Sequence, residues 1–588
     1  MPGNPPLVHG ILPRQKRQLL QRLICRQPKD RPSPMAGNSS TLTRIFTGVF
    51  SMAAEFALGL AVSDAEAQAR DERVTEFLKQ MSLRQARRQQ ETSGLVVVQV
   101  ASETPRNSPE VAAITNLEED AGGAGLQSMS RGNRMNFSKP ALRSRIVRGD
   151  TRQVAEIQRK FPSIEVAPVA MLYPQTFLPL ASELDRWIYR PAQGAALRRL
   201  QVSVNDSEGK PVKDVKVRAY VNYSSDLHYA AVTNRRGKAL LEIEKGLHDY
   251  IILLAAEPDH SYWSSFEANI QLSAADKQFQ LQLQPIVPDE FMLLSHYARY
   301  DEQAGGGVTV AVIDSGVGPH EDITVAGGYC PVTGEVSSDF SDNGLGHGTH
   351  VAGIIAARRG ANTNVYGLAP ACTLLSYRVF PRRGGALDKD ATMASSLDVA
   401  GALERAIAAE CDIVNISLGS FDEMLEVKPL LQQAWNSGIV IFAATGNDGR
   451  DYSRYPACYE PVLGVAALGR HASFPEQCLA ARLAKFWSRG GEFFAGFSNY
   501  GDSTRFIGPG VGVVSTYPGN KFSANSGTSM ATPFTSGMAA RLLSGNQRVR
   551  SMPRTAARAE AIVKLVTDLA REVGWGKAYE GYGIACHD

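Results

Sequence analysis

Three short apolar segments alternate with helical stretches in the C-terminal half of the chain. The segments are VTVAVID (308–314), CDIVNISLG (411–419) and GIVIFAATGN (438–447), and the helical stretches cover 391–409 and 424–437. A strand that is apolar at successive positions is typical of a sheet buried on both faces. Apolar strands separated by helices therefore predict a parallel sheet with helices on both faces, which is the α/β class.

Composition excludes several classes of protein. The chain has 588 residues, of which 44% are hydrophobic and 21% charged, so it is long enough for several domains with buried cores. A net charge of +3 is too balanced to indicate a nucleic-acid partner. The 7 cysteines are too thinly spread for a zinc framework or a dense disulfide scaffold, which leaves one or two disulfides, or none. The chain lacks the repeated long apolar stretches of a multi-pass membrane protein.

The N-terminal part, 1–92, is predicted to be disordered apart from two features. Residues 35–69 resemble a signal segment, with an apolar run at 45–62 and a small-residue Ala-Gln-Ala site after it. Glu55 interrupts that run, and a charge there costs about 2–3 kcal/mol on membrane insertion. We expect a secreted or periplasmic protein, with an amphipathic helix of a cytoplasmic protein as the alternative. Residues 70–92 indicate a charged, exposed helix.

Two modules are predicted between this segment and the α/β part. Residues 93–176 read as strand, loop, helix and strand, a small α+β module. Residues 195–284 contain short alternating strands joined by turns such as Glu-Gly-Lys-Pro, which is the pattern of a β-sandwich. This second module resembles the transthyretin-like sandwich domains that accompany secreted enzymes.

Four polar residues stand where strands end or helices begin. Asp314 and Asn447 follow two of the apolar segments, His347 opens a helical stretch, and Ser529 precedes another. Ligands of open α/β sheets bind at the carboxyl ends of the strands, so these side chains are expected at one site. A histidine can take the proton of a serine hydroxyl, a carboxylate can orient the histidine, and an amide can donate to an oxyanion.

Each of these residues also has a structural interpretation when taken alone. Ser529 suits a helix N-cap, Asp314 a turn, and His347 the first turn of a helix. His347 and His350 are three residues apart, as in some metal sites, but no third ligand is near and the HExxH pattern is absent. We expect His350 to be a packed structural residue.

Five motifs together resemble the subtilisin-like serine peptidases, or subtilases. They are VAVIDSGV, GHGTHVAGIIA, ISLGS, ATGNDG and SGTSMATPFTSGMAA, all within 285–588. The resemblance implies a catalytic triad of Asp314, His347 and Ser529, in the chain order of subtilisin, with Asn447 as the oxyanion donor. It implies a serine endopeptidase that cleaves proteins or peptides through an acyl-enzyme.

The family also implies a precursor, in which 93–176 takes the place of a propeptide and is a partner of the catalytic domain. Two alternatives remain. One is a dedicated processing protease or transpeptidase that acts on a single partner, and the other is a binding or scaffold protein that acts through its sandwich.

Further residues follow from the same resemblance. Ser417, Leu418 and Gly419 would pair with an extended substrate, with 378–386 on its other side. A structural Ca²⁺ would be bound by Asp322, Asn362 and Asn364; the alternative is an ordinary polar surface loop.

Arg454 falls at the base of the primary specificity pocket in the resemblance. Together with Arg378, Arg382 and Arg383 it suggests a preference for Glu or Asp before the scissile bond. Asp448 weakens this hypothesis because it can pair with Arg454, and the alternative is that Arg454 points to solvent. A basic and aromatic insertion at 469–494 is expected to form a helical flap.

Overall fold

The structure is a computed structural model, and its described part begins at Leu95. The residues predicted to form a signal segment and a charged helix therefore lie outside it. The described residues are 95–100, 108–110, 112, 143–148, 152–176, 189, 191, 193–221, 228–245, 250–272, 277–287, 293–360, 363–382, 392–476 and 478–586.

The first module contains a small antiparallel sheet and the helix at 152–160, among other described residues. The sheet has the order β2-β1-β3, and β1 pairs along its length with β2 and over four residues with β3. A further strand, β4, leaves this module and pairs with the C-terminal part of the chain. The elements are β1 (Leu95–Val100), β2 (Arg143–Arg148), α1 (Arg152–Lys160), β3 (Glu165–Pro168) and β4 (Met171–Pro174).

The second module consists of two facing sheets. Their orders are β10-β9-β6-β7 and β11-β5-β8, and they enclose one apolar cluster that includes Val202, Leu241 and Leu254. Burial alternates along β8, as expected for a strand with one face in a core. The strands are β5 (Leu197–Asp206), β6 (Lys216–Tyr220), β7 (His228–Val232), β8 (Lys238–Glu244), β9 (Tyr250–Glu257), β10 (Ser265–Gln271) and β11 (Lys277–Leu283).

The third part is built on a large, mainly parallel sheet, which confirms the α/β class. Its path is β13-β14-β12-β16-β18-β19-β22-β26-β25, and the pairs from β13 to β22 are parallel. The strands of this path are β12 (Thr309–Asp314), β13 (Gly327–Tyr329), β14 (Thr373–Arg378), β16 (Ile413–Ile416), β18 (Val440–Ala444), β19 (Leu463–Arg470), β22 (Thr504–Pro509), β25 (Ala570–Arg571) and β26 (Ile584–Ala585).

Helices cover the sheet, and one apolar cluster lies on each of its faces. The residues of β16 and β18 are all buried and, apart from Asn415, apolar, because both faces of these central strands are covered. The helices are α2 (His347–Ala356), α3 (Ser396–Ala408), α4 (Lys428–Asn436), α5 (Thr528–Ser544), α6 (Gln547–Arg550), α7 (Ala556–Asp568) and α8 (Lys577–Glu580), with short 3-10 helices at Leu293–His296 and Leu479–Arg482.

The insertion at 469–494 contains a β-hairpin after a short 3-10 helix and does not form the expected helical flap. The two strands of the hairpin pair with each other, and the second also pairs antiparallel with the end of β19. Aromatic side chains explain the preference for a strand, because Phe486 stacks on Phe494 across the pair and Trp487 packs on Phe493. The remaining strands are β15 (Ala394–Ser395), β17 (Leu418–Gly419), β20 (Ala484–Trp487), β21 (Glu492–Ala495), β23 (Val513–Tyr517) and β24 (Lys521–Asn525).

Candidate active site

Asp314 and His347 form a buried, hydrogen-bonded pair. Asp314 ends β12, His347 begins α2, and His347 Nδ1 lies 2.7 Å from Asp314 Oδ1. Both side chains are fully buried. The short contact places the N–H of the ring on Nδ1, toward the carboxylate, so that Nε2 is the nitrogen able to accept a proton.

The turn before α2 fixes the position of His347. Gly346 adopts a left-handed conformation with φ 75°, and a Cβ there would lie 2.1 Å from the Tyr517 ring, so only glycine fits. The carboxylate of Asp342 accepts hydrogen bonds from the backbone N–H of Gly346 and from the hydroxyl of Thr349. These contacts hold the first turn of the helix in one geometry.

Ser529 lies at the N-terminal end of α5, close to Ser417. Its hydroxyl donates a 2.8 Å hydrogen bond to the carbonyl oxygen of Ser417, and it is fully buried. Among the described residues, His347 Nε2 has no hydrogen-bond partner. The two helices that begin at His347 and just before Ser529 pack on each other, but the structure shows no hydrogen bond between Ser529 and His347.

Asn447 follows β18 and faces the start of α5. Its Oδ1 accepts hydrogen bonds from the backbone N–H and from the hydroxyl of Thr528, each 2.9 Å long. Two donors face this atom, so it must be the oxygen, and the orientation of the amide is fixed. The Nδ2 of Asn447 is consequently directed away from Thr528.

The segment that contains β4 lies as a strand between β15 and β17. Pro174 pairs with Leu418, and Leu172 pairs with Ala394, both antiparallel. From the sequence, 378–386 is expected on the other side of an extended substrate, and this stays a prediction. On the β4 segment itself the second neighbour is β15, and 383–386 lies outside the described part of the chain.

Gln175 brings a peptide carbonyl to Ser529. The backbone N–H of Gln175 donates to the carbonyl of Ser417 at 3.2 Å, and the N–H of Ser529 donates to the carbonyl of Gln175 at 3.0 Å. Gln175 and Thr176 are both buried. The carbonyl oxygen of Gln175 thus accepts the backbone N–H of the predicted nucleophile, Ser529. Sequence reasoning missed Gln175, because no pattern marks the register of one segment against another.

Ser396 and Glu426 were also missed, and they hold the same segment farther upstream. The backbone N–H of Ala170 donates to the Ser396 hydroxyl at 3.1 Å, and the N–H of Ser396 donates to the carbonyl of Ala170 at 2.9 Å. The Ser396 hydroxyl in turn donates to the buried carboxylate of Glu426. Ser396 follows the two-residue strand β15 and begins α3, and a strand this short has no sequence pattern that marks its partner.

Arg454 is buried and paired with Asp448, so the interpretation in which it points to solvent is wrong. Its Nε donates to Asp448 Oδ2 at 2.8 Å, and its Nη2 donates to Asp448 Oδ1. Both side chains are 2% exposed. The same carboxylate accepts a 2.8 Å hydrogen bond from Asn499 Nδ2, and the guanidinium lies 4.0 Å from the centroid of Phe421.

The other arginines of the predicted cluster are paired as well. Arg378 is buried and forms an ion pair with Glu335, and Arg382 donates two hydrogen bonds to Asp339. Arg383 lies outside the described residues. Neither described arginine contacts the β4 segment.

The residues predicted to bind calcium are only partly brought together. A Cβ on Gly360 would lie 2.9 Å from both Asp322 Oδ1 and Thr363 Oγ1, so these two oxygens converge there. Asp322 Oδ2 and Thr363 Oγ1 are buried and have no hydrogen-bond partner among the described residues. Asn364 Oδ1 instead accepts a hydrogen bond from Arg359, and Asn362 lies outside the described part.

Burial raises the pKa of Asp322, and the imidazole of His320, 3.9 Å from Oδ2, opposes that shift only in part. The described residues contain no group of three or more His, Cys, Asp or Glu that could bind a metal. Oxygen donors of this kind nevertheless fit Ca²⁺, which takes carboxylate, hydroxyl and carbonyl ligands.

His350 is a structural residue. Its Nε2 lies 3.0 Å from the carbonyl of Val513 and 3.1 Å from that of Ser523, so the N–H is shared between the two strands of one hairpin. Burial, with a smaller contribution from His347, lowers the pKa of His350 to about 3. The ring is therefore neutral at ordinary pH, and a role as a metal ligand is not needed to explain it.

The cysteines and helices of the described residues bear on the expectations for disulfide bonds and membrane spans. All six described cysteines are free thiols: Cys330, Cys372, Cys411, Cys458, Cys478 and Cys586. Within the same part of the chain, every helix is too short or too polar to cross a bilayer.

Comparison with known proteins agrees with this geometry. The model of the subtilase family matches residues 305–576. The thermostable alkaline protease of Halalkalibacterium halodurans is 33% identical over 297 residues, which cover 50% of this chain and 73% of that protein. Subtilisin Savinase of Lederbergia lenta is 35% identical over 236 residues, covering 40% and 76%. The minor extracellular protease Epr of Bacillus subtilis is 33% identical over 239 residues, covering 40% and 32%.

The α/β sheet, the buried hydrogen-bonded pair of Asp314 and His347, and relatives of this similarity lead to one assignment: the chain belongs to the subtilase family and is a serine-type endopeptidase.

Proposed function

We propose that Asp314, His347 and Ser529 are the catalytic triad and that Asn447 and the backbone N–H of Ser529 form the oxyanion hole. The observation that carries the proposal is the 3.0 Å hydrogen bond from the N–H of Ser529 to the carbonyl of Gln175. This hydrogen bond supports the proposal because it brings a peptide carbonyl to the residue whose hydroxyl is the proposed nucleophile.

In the proposed reaction, the hydroxyl of Ser529 rotates from the Ser417 carbonyl toward His347. Its oxygen bonds to the carbonyl carbon while its proton passes to His347 Nε2, and the negative oxygen receives the N–H of Ser529 and Nδ2 of Asn447. Asp314 stabilises the resulting imidazolium. His347 then gives the proton to the leaving nitrogen as the C–N bond breaks, and water removes the acyl group by the same sequence.

The first substrate is the chain itself. We assign the module 93–176 as an inhibitory propeptide whose last residue before the cut is Gln175, 195–284 as a transthyretin-like sandwich and 285–588 as the peptidase domain, preceded by 1–92 with its signal segment. The carbonyl that accepts the N–H of Ser529 belongs to the peptide bond between Gln175 and Thr176. We therefore expect maturation to cut between these two residues. Occupation of the cleft by β4 supports this assignment, because the segment fills the place of an extended substrate.

Replacement of the nucleophile tests both proposals. Ser529→Ala should lower turnover by about 10⁶-fold and leave the protein at full length. Ser526→Ala is the matched control, because its hydroxyl accepts a hydrogen bond from the N–H of Gly512 and lies outside the proposed triad. Edman sequencing of the mature control protein should begin at Thr176. A Ser529→Ala protein that matures in a protease-free preparation would contradict the mechanism.

A structural Ca²⁺ and export complete the proposal. Asp322 and Thr363 supply converging oxygens for the ion, which would neutralise the buried carboxylate and stabilise the loop after α2 without taking part in the chemistry. We place the mature enzyme outside the cytoplasm, in the medium or the periplasm, supported by the apolar segment at 45–62 and by a relative named as extracellular.

A further inference from the structure

We infer that the enzyme prefers a neutral hydrogen-bond donor, glutamine above all, immediately before the scissile bond, and that the Asp448–Arg454 pair determines this preference. The inference rests on the proposed function, because it takes Gln175 as the residue before the cleaved bond. It replaces the hypothesis that Arg454 selects acidic residues.

The contacts of the Gln175 side chain define what the site accepts. The side chain is buried, and its Nε2 donates hydrogen bonds to the carbonyl of Tyr173 at 2.8 Å and to that of Gly419 at 3.3 Å. Both partners are acceptors: the Gly419 carbonyl belongs to the peptidase, and the Tyr173 carbonyl belongs to the bound segment itself. The group between them must therefore be a donor. An ionised glutamate has no donor to offer, and its oxygens would face two carbonyl oxygens.

Arg454 approaches the same face of Gly419 as Gln175. A Cβ on Gly419 would lie 2.9 Å from Gln175 Nε2 and 3.2 Å from Arg454 Cβ, so the glycine leaves room for both side chains. A Cβ on Gly446 would likewise lie 3.0 Å from Arg454 Cγ. Arg454 therefore packs against both backbone segments that bound the site.

The charge of Arg454 is already compensated. Asp448 meets the guanidinium through two hydrogen bonds, and Asn499 fixes the carboxylate from a third direction. A buried pair of this geometry presents little net charge to a neighbouring side chain. An acidic side chain in the site would consequently lose its hydration without gaining a free cation.

The first test needs no variant. Mature enzyme is given peptides based on residues 171–176, Met-Leu-Tyr-Pro-Xaa-Thr, where Xaa is Gln, Glu, Lys or Leu, and kcat/KM is measured for each. Gln is expected to exceed Glu and Leu by about tenfold or more, since a site with buried polar groups discriminates strongly against analogues that leave them unpaired. Glu or Leu cleaved as fast as Gln would overturn the inference.

The second test changes the charge of the pair. Asp448→Asn leaves the guanidinium without its counter-charge and should raise the Glu-to-Gln ratio of kcat/KM at least tenfold, whereas Arg454→Met leaves the carboxylate and should favour Lys. The matched control is Asp412→Asn, which breaks another buried aspartate–arginine pair, with Arg558, on a different part of the sheet. It should leave the ratio unchanged.

Rates are normalised to the fraction of enzyme labelled by a fluorophosphonate, so that loss of folded protein does not affect the ratio. An unchanged Glu-to-Gln ratio in Asp448→Asn would overturn the role of the pair. If the mature protein begins elsewhere than Thr176, the proposed maturation site fails separately, and the peptide series still reports whether the site selects a neutral donor.

Discussion

His350 gives a prediction whose size follows from its surroundings. The ring is fully buried, its single N–H is shared between the carbonyls of Val513 and Ser523, and its pKa is lowered to about 3. In the unfolded chain the pKa of a histidine is about 6.5. Below that pH the unfolded state binds a proton that the folded state does not, so stability is lost as the pH falls from about 6.5 toward 3.

His350→Gln removes this proton while keeping an N–H donor. At pH 8 the variant should be less stable by about 1–2 kcal/mol, since one amide cannot reproduce the packing and the shared hydrogen bond of the ring. Each pH unit below about 6.5 costs the parent about 1.4 kcal/mol that the variant does not lose, so the order of stability should reverse between about pH 5 and pH 6. At pH 4 the variant should be the more stable protein.

The assay is chemical unfolding of both proteins in the Ser529→Ala background, which prevents self-digestion. Comparing variant with parent removes the contributions of other groups, such as Asp398, whose pKa is raised to about 6 by burial and which therefore acts in the opposite direction. A constant difference in unfolding free energy between pH 8 and pH 4 would refute the reasoning, because it would mean that His350 titrates alike in both states.

Three further outcomes are expected. Asn447→Ala should lower kcat by about 10²–10³-fold with little change in KM, and an unchanged kcat would mean that another donor serves the oxyanion. EDTA should lower the melting temperature of the parent and not of Asp322→Ala, because a ligand bound only to the folded state stabilises it; coincident melting curves with EDTA and with excess Ca²⁺ would exclude the site. Ser396→Ala should weaken inhibition of the mature enzyme by an added 93–175 peptide, while its cleavage of the short peptides stays unaffected. Equal inhibition constants for the parent and the variant would show that the contact between Ser396 and Ala170 contributes nothing to binding of the propeptide.

The sequence predicted the parts of the molecule that local patterns encode. The continuous apolar runs at β12, β16 and β18 indicated a parallel sheet, and the residues that follow strands indicated where Asp314 and Asn447 lie. These features depend on neighbouring residues in the chain, so they can be recognised in one sequence. The helical reading of 469–494 failed because cross-strand aromatic contacts, which no local pattern displays, stabilise a hairpin there.

The specificity and metal residues could not be predicted for a different reason. The position of Arg454 was recognised, but whether its charge is free depends on Asp448 and Asn499, which approach it only in the fold. Asn364 illustrates the same limit, because Arg359 five residues away takes the oxygen that was assigned to calcium. A polar residue in a motif has a predictable place, but its partners are set by tertiary structure.

The position of the sandwich in the chain has a consequence for the mature enzyme. Cleavage after Gln175 would separate the first module from the peptidase, but the sandwich follows that bond and would stay attached. Its loop between β9 and β10 also holds the hairpin that precedes the nucleophile. The N–H of Ser261 donates to the carbonyl of Phe522 at 2.8 Å, the Ser523 hydroxyl donates to the carbonyl of Asp259 at 3.2 Å, and Lys521 Nζ lies 2.9 Å from His260 Nε2. Because β24 runs from these contacts toward Ser529, the sandwich supports the catalytic site from outside the sheet, and a mature enzyme that retains it is the form on which activity should be measured.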